Sequence, residues 1–362
     1  MTAALPPKAT DAAGLKPADP PNPKSTEPPD AGLVAEVFGL GKPLGPARPA
    51  ARGELGRIWQ LETTGELGRH RGSGAKTWAV KELFEPMSEA DAQLDVAFQL
   101  AALRAGLPLP EPVLKPDGGV LAEIAPAGGR SMTVRVYRWV DFADPVAPAP
   151  PEAAAELLAR LHGLDWPGPG SVHAWFTEPV GPPRWTELRD EVAVAGPAWA
   201  ERFRDAVPEL IAAEDLLPPP AAPLAWCHLD FNPYNVLRNS TGRAVIVDWE
   251  NSGPCAIEQE LAMALMDFTM DEAQALAFLR AYEAAGGPAR PTGTRSFATA
   301  FAVQGHLIDR YASGAISRDA DADADADAER RIRSERWIVE MLDMLITLPR
   351  VERLLSKLSS SA

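Results

Sequence analysis

Trp226-Cys227-His228-Leu229-Asp230-Phe231-Asn232-Pro233-Tyr234-Asn235-Val236-Leu237, followed by Ala244-Val245-Ile246-Val247-Asp248-Trp249-Glu250, is the stretch on which the reading of this chain turns. Asp230 and Asn235 stand five apart on a loop, and Asp248 follows a short β-branched run that reads as a strand. Such a set suits phosphoryl transfer. One carboxylate orients an attacking hydroxyl and accepts its proton, while an amide and a second carboxylate hold Mg2+ on nucleotide phosphates. Ordinary loop caps and turn residues are the competing explanation for the same residues. The following Gly253-Pro254 and the helix-like Glu258-Gln259-Glu260-Leu261-Ala262 weigh against that explanation, because they continue one combined pattern.

In this pattern the sequence resembles the aminoglycoside phosphotransferase and choline kinase family, relatives of the protein kinases. That family's signature is H-x-D-x-x-x-x-N, then an aspartate after a strand; here it stands as His228, Asp230, Asn235 and Asp248. The resemblance implies Asp230 as catalytic base, Asn235 and Asp248 as magnesium ligands, and His228 as a support of the loop. It runs from about Gly53 to Phe268 and implies an α+β, two-lobed protein-kinase-like fold. A small antiparallel-sheet N-lobe with one helix would precede a mainly helical C-lobe, with ATP in the cleft between them.

Upstream of the signature, Gly53 and Gly56 before Ile58 match part of a phosphate-covering glycine loop, and equally an ordinary hairpin turn. Lys81, in Ala79-Val80-Lys81-Glu82, falls where the family places its strand lysine on the ATP phosphates. The usual partner of that lysine is a helix glutamate. Here Asp95 takes the corresponding position, with Glu89 and Asp91 as alternatives nearer the helix start. Val134 to Val140, with Tyr137 and Trp139, corresponds to the hinge that meets adenine, and reads as a buried strand on its own account. The acidic residues Glu250, Glu258, Glu260 and Asp267 are available to face a cationic acceptor, although solvation and helix capping account for several of them as well.

Two glycine-rich lookalikes drop out. Gly72-Ser73-Gly74-Ala75-Lys76-Thr77 lacks P-loop spacing and precedes a strand, and Gly39-Leu40-Gly41-Lys42 has no strand before it. His70, His173 and His306 have no metal-ligand spacing, Leu161-His162 matches the L-H that closes a core helix in the resembled family, and no Gly-x-Ser-x-Gly occurs.

Periodicity supplies the frame. Gly53 to Leu61 and Thr77 to Leu83 alternate as strands, Gly119 to Ile124 and Met132 to Val140 follow suit, and Ser88 to Ala105 repeats apolar residues at helical spacing between an N-cap and Gly106. Pro151 to His162 begins a run of helices, and Asp271 with Gln274 forms a capping box. The expected organisation is a disordered Pro/Ala-rich tail over 1–32, an N-lobe over 33–140 and a helical C-lobe with the catalytic loop over 141–355. Within the last, 319–328 (DADADADADA) is expected as an acidic low-complexity loop.

The 362 residues suffice for two lobes, and no apolar run reaches the roughly 20 residues of a membrane span. A formal charge of −15 with no basic block argues against nucleic acid and leaves a cationic acceptor open. Cys227 and Cys255 are too few for a disulfide framework, and the N-terminus has no secretory pattern, so a cytoplasmic location is expected. The expected activity is ATP- and Mg2+-dependent transfer of a phosphoryl group to a hydroxyl of a small molecule. His228-Leu229-Asp230 in place of His-Arg-Asp, Asp248-Trp249-Glu250 in place of Asp-Phe-Gly, and the lack of an A-P-E segment set it apart from a protein kinase. A nucleotide-binding pseudokinase or scaffold and an atypical protein kinase are the alternatives.

Overall fold

Alternation decides which side of the sheet each residue serves, because successive side chains of a strand point to opposite faces. The computed structural model describes residues 27–53, 56–64, 75–125, 131–164, 166, 168–217, 222–317 and 324–360, with backbone alone at 324–327 and 360. Strands β1 (Arg48–Arg52), β2 (Gly56–Thr63), β3 (Lys76–Leu83), β4 (Pro112–Val113), β5 (Ala122–Ile124) and β6 (Met132–Arg138) form an antiparallel sheet in the order β1-β2-β3-β6-β4, with β5 also paired to β6.

Register pairs Trp59 with Val80, Leu61 with Trp78, and Val80 with Val136. These residues share one face, and all are buried. Helix α1 (Ala31–Val37) packs there through Val34, Ala35 and the following Phe38 and Leu40. Burying each such large side chain stabilises the fold by about 1.5–3 kcal/mol. One residue along each strand, Lys81 pairs with Arg135 and Ala79 with Tyr137. Those side chains occupy the opposite face, which is therefore the charged one.

Helix α1 corrects the expected tail. Residues 1–26 lie outside the described residues, but Asp30 Oδ1 accepts from Leu33 N at 3.0 Å and starts the helix at Ala31, inside the stretch expected to be disordered. An N-cap carboxylate before an apolar run is sufficient cause. Helix α2 (Glu89–Arg104) begins on Ser88, whose Oγ accepts from Asp91 N at 3.1 Å, and the chain turns at Gly106 with φ 77°.

The chain divides into two compact units, 1–149 with 235–251 and 150–234 with 252–362. This moves the boundary from 140/141, and it gives the hairpin of β8 (Val236–Arg238) and β9 (Ala244–Ile246) to the first unit rather than to the helical one. The reason is local: Ala143 N and Ala149 N donate to Arg238 O and Val236 O, so the segment after β6 lines β8.

In the second unit β7 (Ala225–Cys227) pairs with β10 (Gly253–Cys255), surrounded by α3 (Pro151–His162), α4 (Pro182–Ala195), α5 (Ala200–Glu214), α6 (Ile257–Phe268), α7 (Glu272–Ala284), α8 (Ala298–Ile316), α9 (Ala324–Asp343) and α10 (Leu348–Ser360). Helix α6 is buried along most of its length, Leu261, Ala262, Ala264 and Leu265 completely. The N-cap half of the expected capping box of α7 forms, Asp271 Oδ1 accepting from Gln274 N at 2.8 Å, while Gln274 Oε1 reaches Met270 N at 2.8 Å, one residue before the cap. The acidic repeat is not a loop throughout: α9 begins within it at Ala324, where alternating alanine favours helix, and 318–323 lie outside the described residues. Among the described residues no helix is long and apolar enough to cross a membrane.

Candidate active site

Lys81 and Arg135 face each other across β3 and β6, a like-charged cross-strand pair that needs carboxylates to hold it. Glu250 supplies them from one side chain. Lys81 Nζ donates to Glu250 Oε2 at 2.7 Å, and Arg135 Nη1 donates to Glu250 Oε1 at 3.4 Å. Lys81 Nζ also donates to Asp248 Oδ1 at 2.7 Å, while Asp95 Oδ2 lies 3.8 Å from Arg135 Nη1. The sequence offered Asp95, Glu89 or Asp91 as the partner of Lys81; Lys81 Nζ donates instead to Asp248 and Glu250, and Asp95 faces the arginine. The alternatives serve elsewhere, Glu89 accepting from Val120 N and Leu121 N, and Asp91 from Ser88 Oγ.

Burial pulls the Lys81 ammonium down, but Glu250 and Asp248 outweigh it and hold the group above its ordinary value. Burial likewise works against the Glu250 carboxylate, and Lys81, Asp248 and Arg135 keep it well below the usual range. Asp248 moves the other way: its packed surroundings raise it, Lys81 opposes, and Glu250 adds to the rise. Tyr137 is a neutral donor, its phenol pushed up by burial, with its hydroxyl 3.4 Å from Glu250 Oε1. This residue of the expected hinge thus points its side chain into the ion cluster. Trp139 Nε1 donates to Asp141 Oδ1 at 2.8 Å, and its backbone N to Thr77 O at 3.3 Å.

Asn235 and Asp248 are brought together by the β8–β9 hairpin. Val236 pairs with Ile246, and Val247 N donates to Asn235 O at 2.8 Å, so both residues stand at one end of the ladder. Asp248 takes φ 63°, a left-handed turn that aspartate tolerates better than most residues, and Trp249 anchors it edge-on to Phe98 at 5.5 Å. An amide and a carboxylate are hard oxygen donors. The Asp248 side chain is 46% exposed while its Oδ1 holds Lys81, so the pair fits a divalent cation that keeps several waters.

Gly53 and Gly56 bound the β1–β2 turn, Gly53 N donating to Gly56 O at 2.9 Å, with 54–55 outside the described residues. A Cβ on Gly56 would come within 2.6 Å of Glu82 O, so close approach of β3 requires glycine there. The hairpin reading accounts for Gly56 without a ligand. Gly72 and Gly74 of the P-loop lookalike lie outside the described residues, and Lys76 opens β3.

In the second unit, Asp230 sits on a loop that is stapled from within. Asp230 N donates to His228 Nδ1 at 3.2 Å, Asn232 Nδ2 to Asp230 Oδ1 at 2.6 Å, and Tyr234 N to Asn232 Oδ1 at 2.9 Å. His228 and Phe231 are fully buried, their rings edge to face at 6.0 Å. His228 is thus the loop support that the resemblance implied. Glu260, weighed above as an acceptor ligand, is a buried hydrogen-bond acceptor on the same loop through Leu229 N. Glu258 is likewise engaged, accepting from Thr292 N and Oγ1. His162, Cys227 and Glu260 place possible ligand atoms within 4.8 Å of one another. Both nitrogens of His162 and both oxygens of Glu260 already have partners, and Cys227 Sγ donates to Cys255 O, so the group is a hydrogen-bond network.

Neither Arg135 nor Glu260 was singled out for these roles by sequence. An arginine inside the apolar run Met132 to Val140, and a glutamate in the middle of an all-buried helix turn, were the available signals.

The family model described as Phosphotransferase enzyme family matches residues 48–293, from β1 through α7. No curated protein matches the sequence. Among solved structures, a spectinomycin phosphotransferase in complex with ADP and spectinomycin is 14% identical, with 86% of this chain and 95% of that chain covered at a TM-score of 0.59. Its AMP-bound complex is 13% identical, with 86% and 96% covered at 0.54. An aminoglycoside phosphotransferase from Alicyclobacillus acidocaldarius is 19% identical, with 86% and 96% covered at 0.48. The fold is kinase-like, an antiparallel sheet followed by a largely helical region, and the chain belongs to the APH phosphotransferase enzyme family.

Proposed function

We propose that the protein transfers the γ-phosphoryl group of ATP to a hydroxyl of a small molecule, an aminoglycoside-like compound, amino alcohol, sugar or other metabolite. The observation that carries this reading is the joint placement of Lys81, Asn235 and Asp248. A strand lysine is fixed on an aspartate, and the aspartate shares one hairpin end with an asparagine. A carboxylate five residues before that asparagine completes the set.

In this reading Lys81 holds ATP phosphates, and Glu250 keeps its ammonium in place independently of Asp248. Gly53 and Gly56 bound the turn over the phosphates, and the strand carrying Tyr137 and Trp139 meets adenine by its backbone, with Asp95 supporting the cluster through Arg135. Asn235 and Asp248 hold Mg2+, which neutralises charge on the phosphates. Asp230, held at Oδ1 by the Asn232 amide, orients the acceptor hydroxyl and takes its proton. The ligands of the spectinomycin phosphotransferase structure, ADP and an antibiotic, support a nucleotide and a small acceptor here.

The test is transfer of labelled phosphate from ATP to a panel of aminoglycosides and amino alcohols, with a mixed peptide pool alongside. Label on a small molecule and none on peptide supports the reading; label on peptide alone overturns it.

A further inference from the structure

Between Asp230 and Asn235 the chain passes Tyr234, whose side chain is left 58% exposed, so general packing does little to fix it and specific contacts must. Two come from α9. Tyr234 Oη donates to Glu340 Oε1 at 2.6 Å, and its ring meets Trp337 edge to face with centroids 5.4 Å apart. Partial burial and Glu340 push the phenol up to about 12, so at neutral pH it carries the proton it donates. Helix α9 is itself well supported: Trp337 stacks on Tyr311 of α8 at 5.9 Å, and Ile338 is fully buried in a core shared with α4, α5 and α8. The helix lies beyond residues 48–293, so its hold on the loop comes from outside the region that the family model matches.

From Tyr234 the bonds run inward. Tyr234 N donates to Asn232 Oδ1 at 2.9 Å, and Asn232 Nδ2 donates to Asp230 Oδ1 at 2.6 Å. A side-chain amide has one acceptor end and one donor end. With the acceptor end taken by a backbone N–H, the donor end is turned to the carboxylate. The place of Tyr234 therefore sets the orientation of the Asn232 amide, and the amide sets the orientation of Asp230. Three hydrogen bonds in series lead from α9 to the Asp230 carboxylate.

We propose that Tyr234, held by Glu340 and Trp337 of α9, is a positioning residue for Asp230 and acts through the Asn232 amide. This rests on the assignment of Asp230 as the base. The two are separable, because loss of Asp230 removes the base whereas loss of the Tyr234 contacts misplaces it.

The experiment uses the full chain with Mg-ATP and water as the acceptor, reading phosphate release. Two controls come first: the wild type must release phosphate, and Asp230→Asn must be slower. Failure of either refutes the phosphotransfer reading and this proposal with it. With both in place, Tyr234→Phe, which keeps the ring but loses the hydroxyl, and Glu340→Ala are each expected to lower kcat by about 3- to 10-fold with KM for ATP unchanged. The double variant should cost no more than either single, because both break the same bond. Glu340→Gln keeps an oxygen for the Tyr234 hydroxyl and is expected to retain more of kcat than Glu340→Ala. Asn232→Ala is expected to lower kcat by about 10- to 100-fold, and in that background Tyr234→Phe should cost nothing further. Wild-type kcat in Tyr234→Phe, or losses in the Asn232→Ala background that simply multiply, would overturn the proposal. A raised KM with kcat unchanged would place Tyr234 in binding and overturn it as well. Should Asn232→Ala fail to fold, the pair Tyr234→Phe and Glu340→Ala carries the test, and a double variant slower than both singles would refute the coupling.

Discussion

Glu250, half-buried, and Glu260, fully buried, are both glutamates with two engaged oxygens, but they are built into different devices. Glu250 ties side chain to side chain, bridging the cross-strand cations Lys81 and Arg135. Glu260 ties side chain to main chain, with His162 on one oxygen and Leu229 N on the other. Around Glu250 the carboxylates, with Asp95 and Asp248, outnumber the cations, and one of them meets solvent. Around Glu260 every oxygen is sealed in. A cluster with a surplus carboxylate at its edge can exchange partners when a ligand arrives, whereas a sealed network can only hold what it already holds. The first arrangement suits binding and the second suits positioning.

The comparison can be sharpened at several points, beginning where the effect is largest. Asp230→Asn leaves both glutamates intact and removes the proposed base; phosphate transfer is expected to fall by about 100- to 10,000-fold with Mg-ATP affinity retained. A mutant with near-normal turnover would remove Asp230 from the chemistry. Glu250→Ala leaves Lys81 and Arg135 opposed without their shared carboxylate. Denaturant unfolding is expected to show a loss of about 3–5 kcal/mol, and Lys81→Met in the same background should recover part of it. A loss under about 1 kcal/mol would mean that solvent screens the cluster.

Glu260 makes a prediction in pH. Its folded carboxyl lies below the ordinary 4.5, so its contribution to stability is present above that value and lost as pH falls through and below it. Glu260→Gln should therefore lose less stability than the wild type as pH falls below 4.5; identical acid limbs in thermal melts would contradict the charged state assigned to it. The smallest effect lies outside both regions: Asp30→Ala should cost about 1 kcal/mol by uncapping α1, and a melting midpoint equal to the wild type would show that the helix does not stabilise the sheet it covers.

Much of this was legible in the sequence, and the parts that were not have physical reasons. That Asn235 and Asp248 would meet at one hairpin end, and that His228 and Asp230 would share a loop, could be read because those relations are local in the chain. The strands β2, β3 and β6 and helices α2, α3 and α7 could be read because their apolar periods and caps are local. Helix α1 was hidden by the Pro- and Ala-rich stretch before it, although Asp30 followed by Leu33, Val34 and Val37 carried the signal. Strand β1 is exposed at every residue, so it has no period to detect. The partners of Lys81 were out of reach for another reason: a glutamate two residues past Asp248 meets β3 only once the β8–β9 hairpin is placed beside the sheet, which is tertiary information. Glu260 shares that difficulty, since its helix spacing says that it is buried but not which backbone N–H it meets.

The most direct test of the central claim is thermal stability with and without Mg-ATP, comparing the wild type with Asp248→Asn, because a ligand bound only to the native state must raise the midpoint. The account predicts a magnesium-dependent rise in the wild type that Asp248→Asn loses. No rise at saturating Mg-ATP in the wild type, or an equal rise in both proteins, would contradict the assignment of Lys81, Asn235 and Asp248 as a nucleotide and metal site.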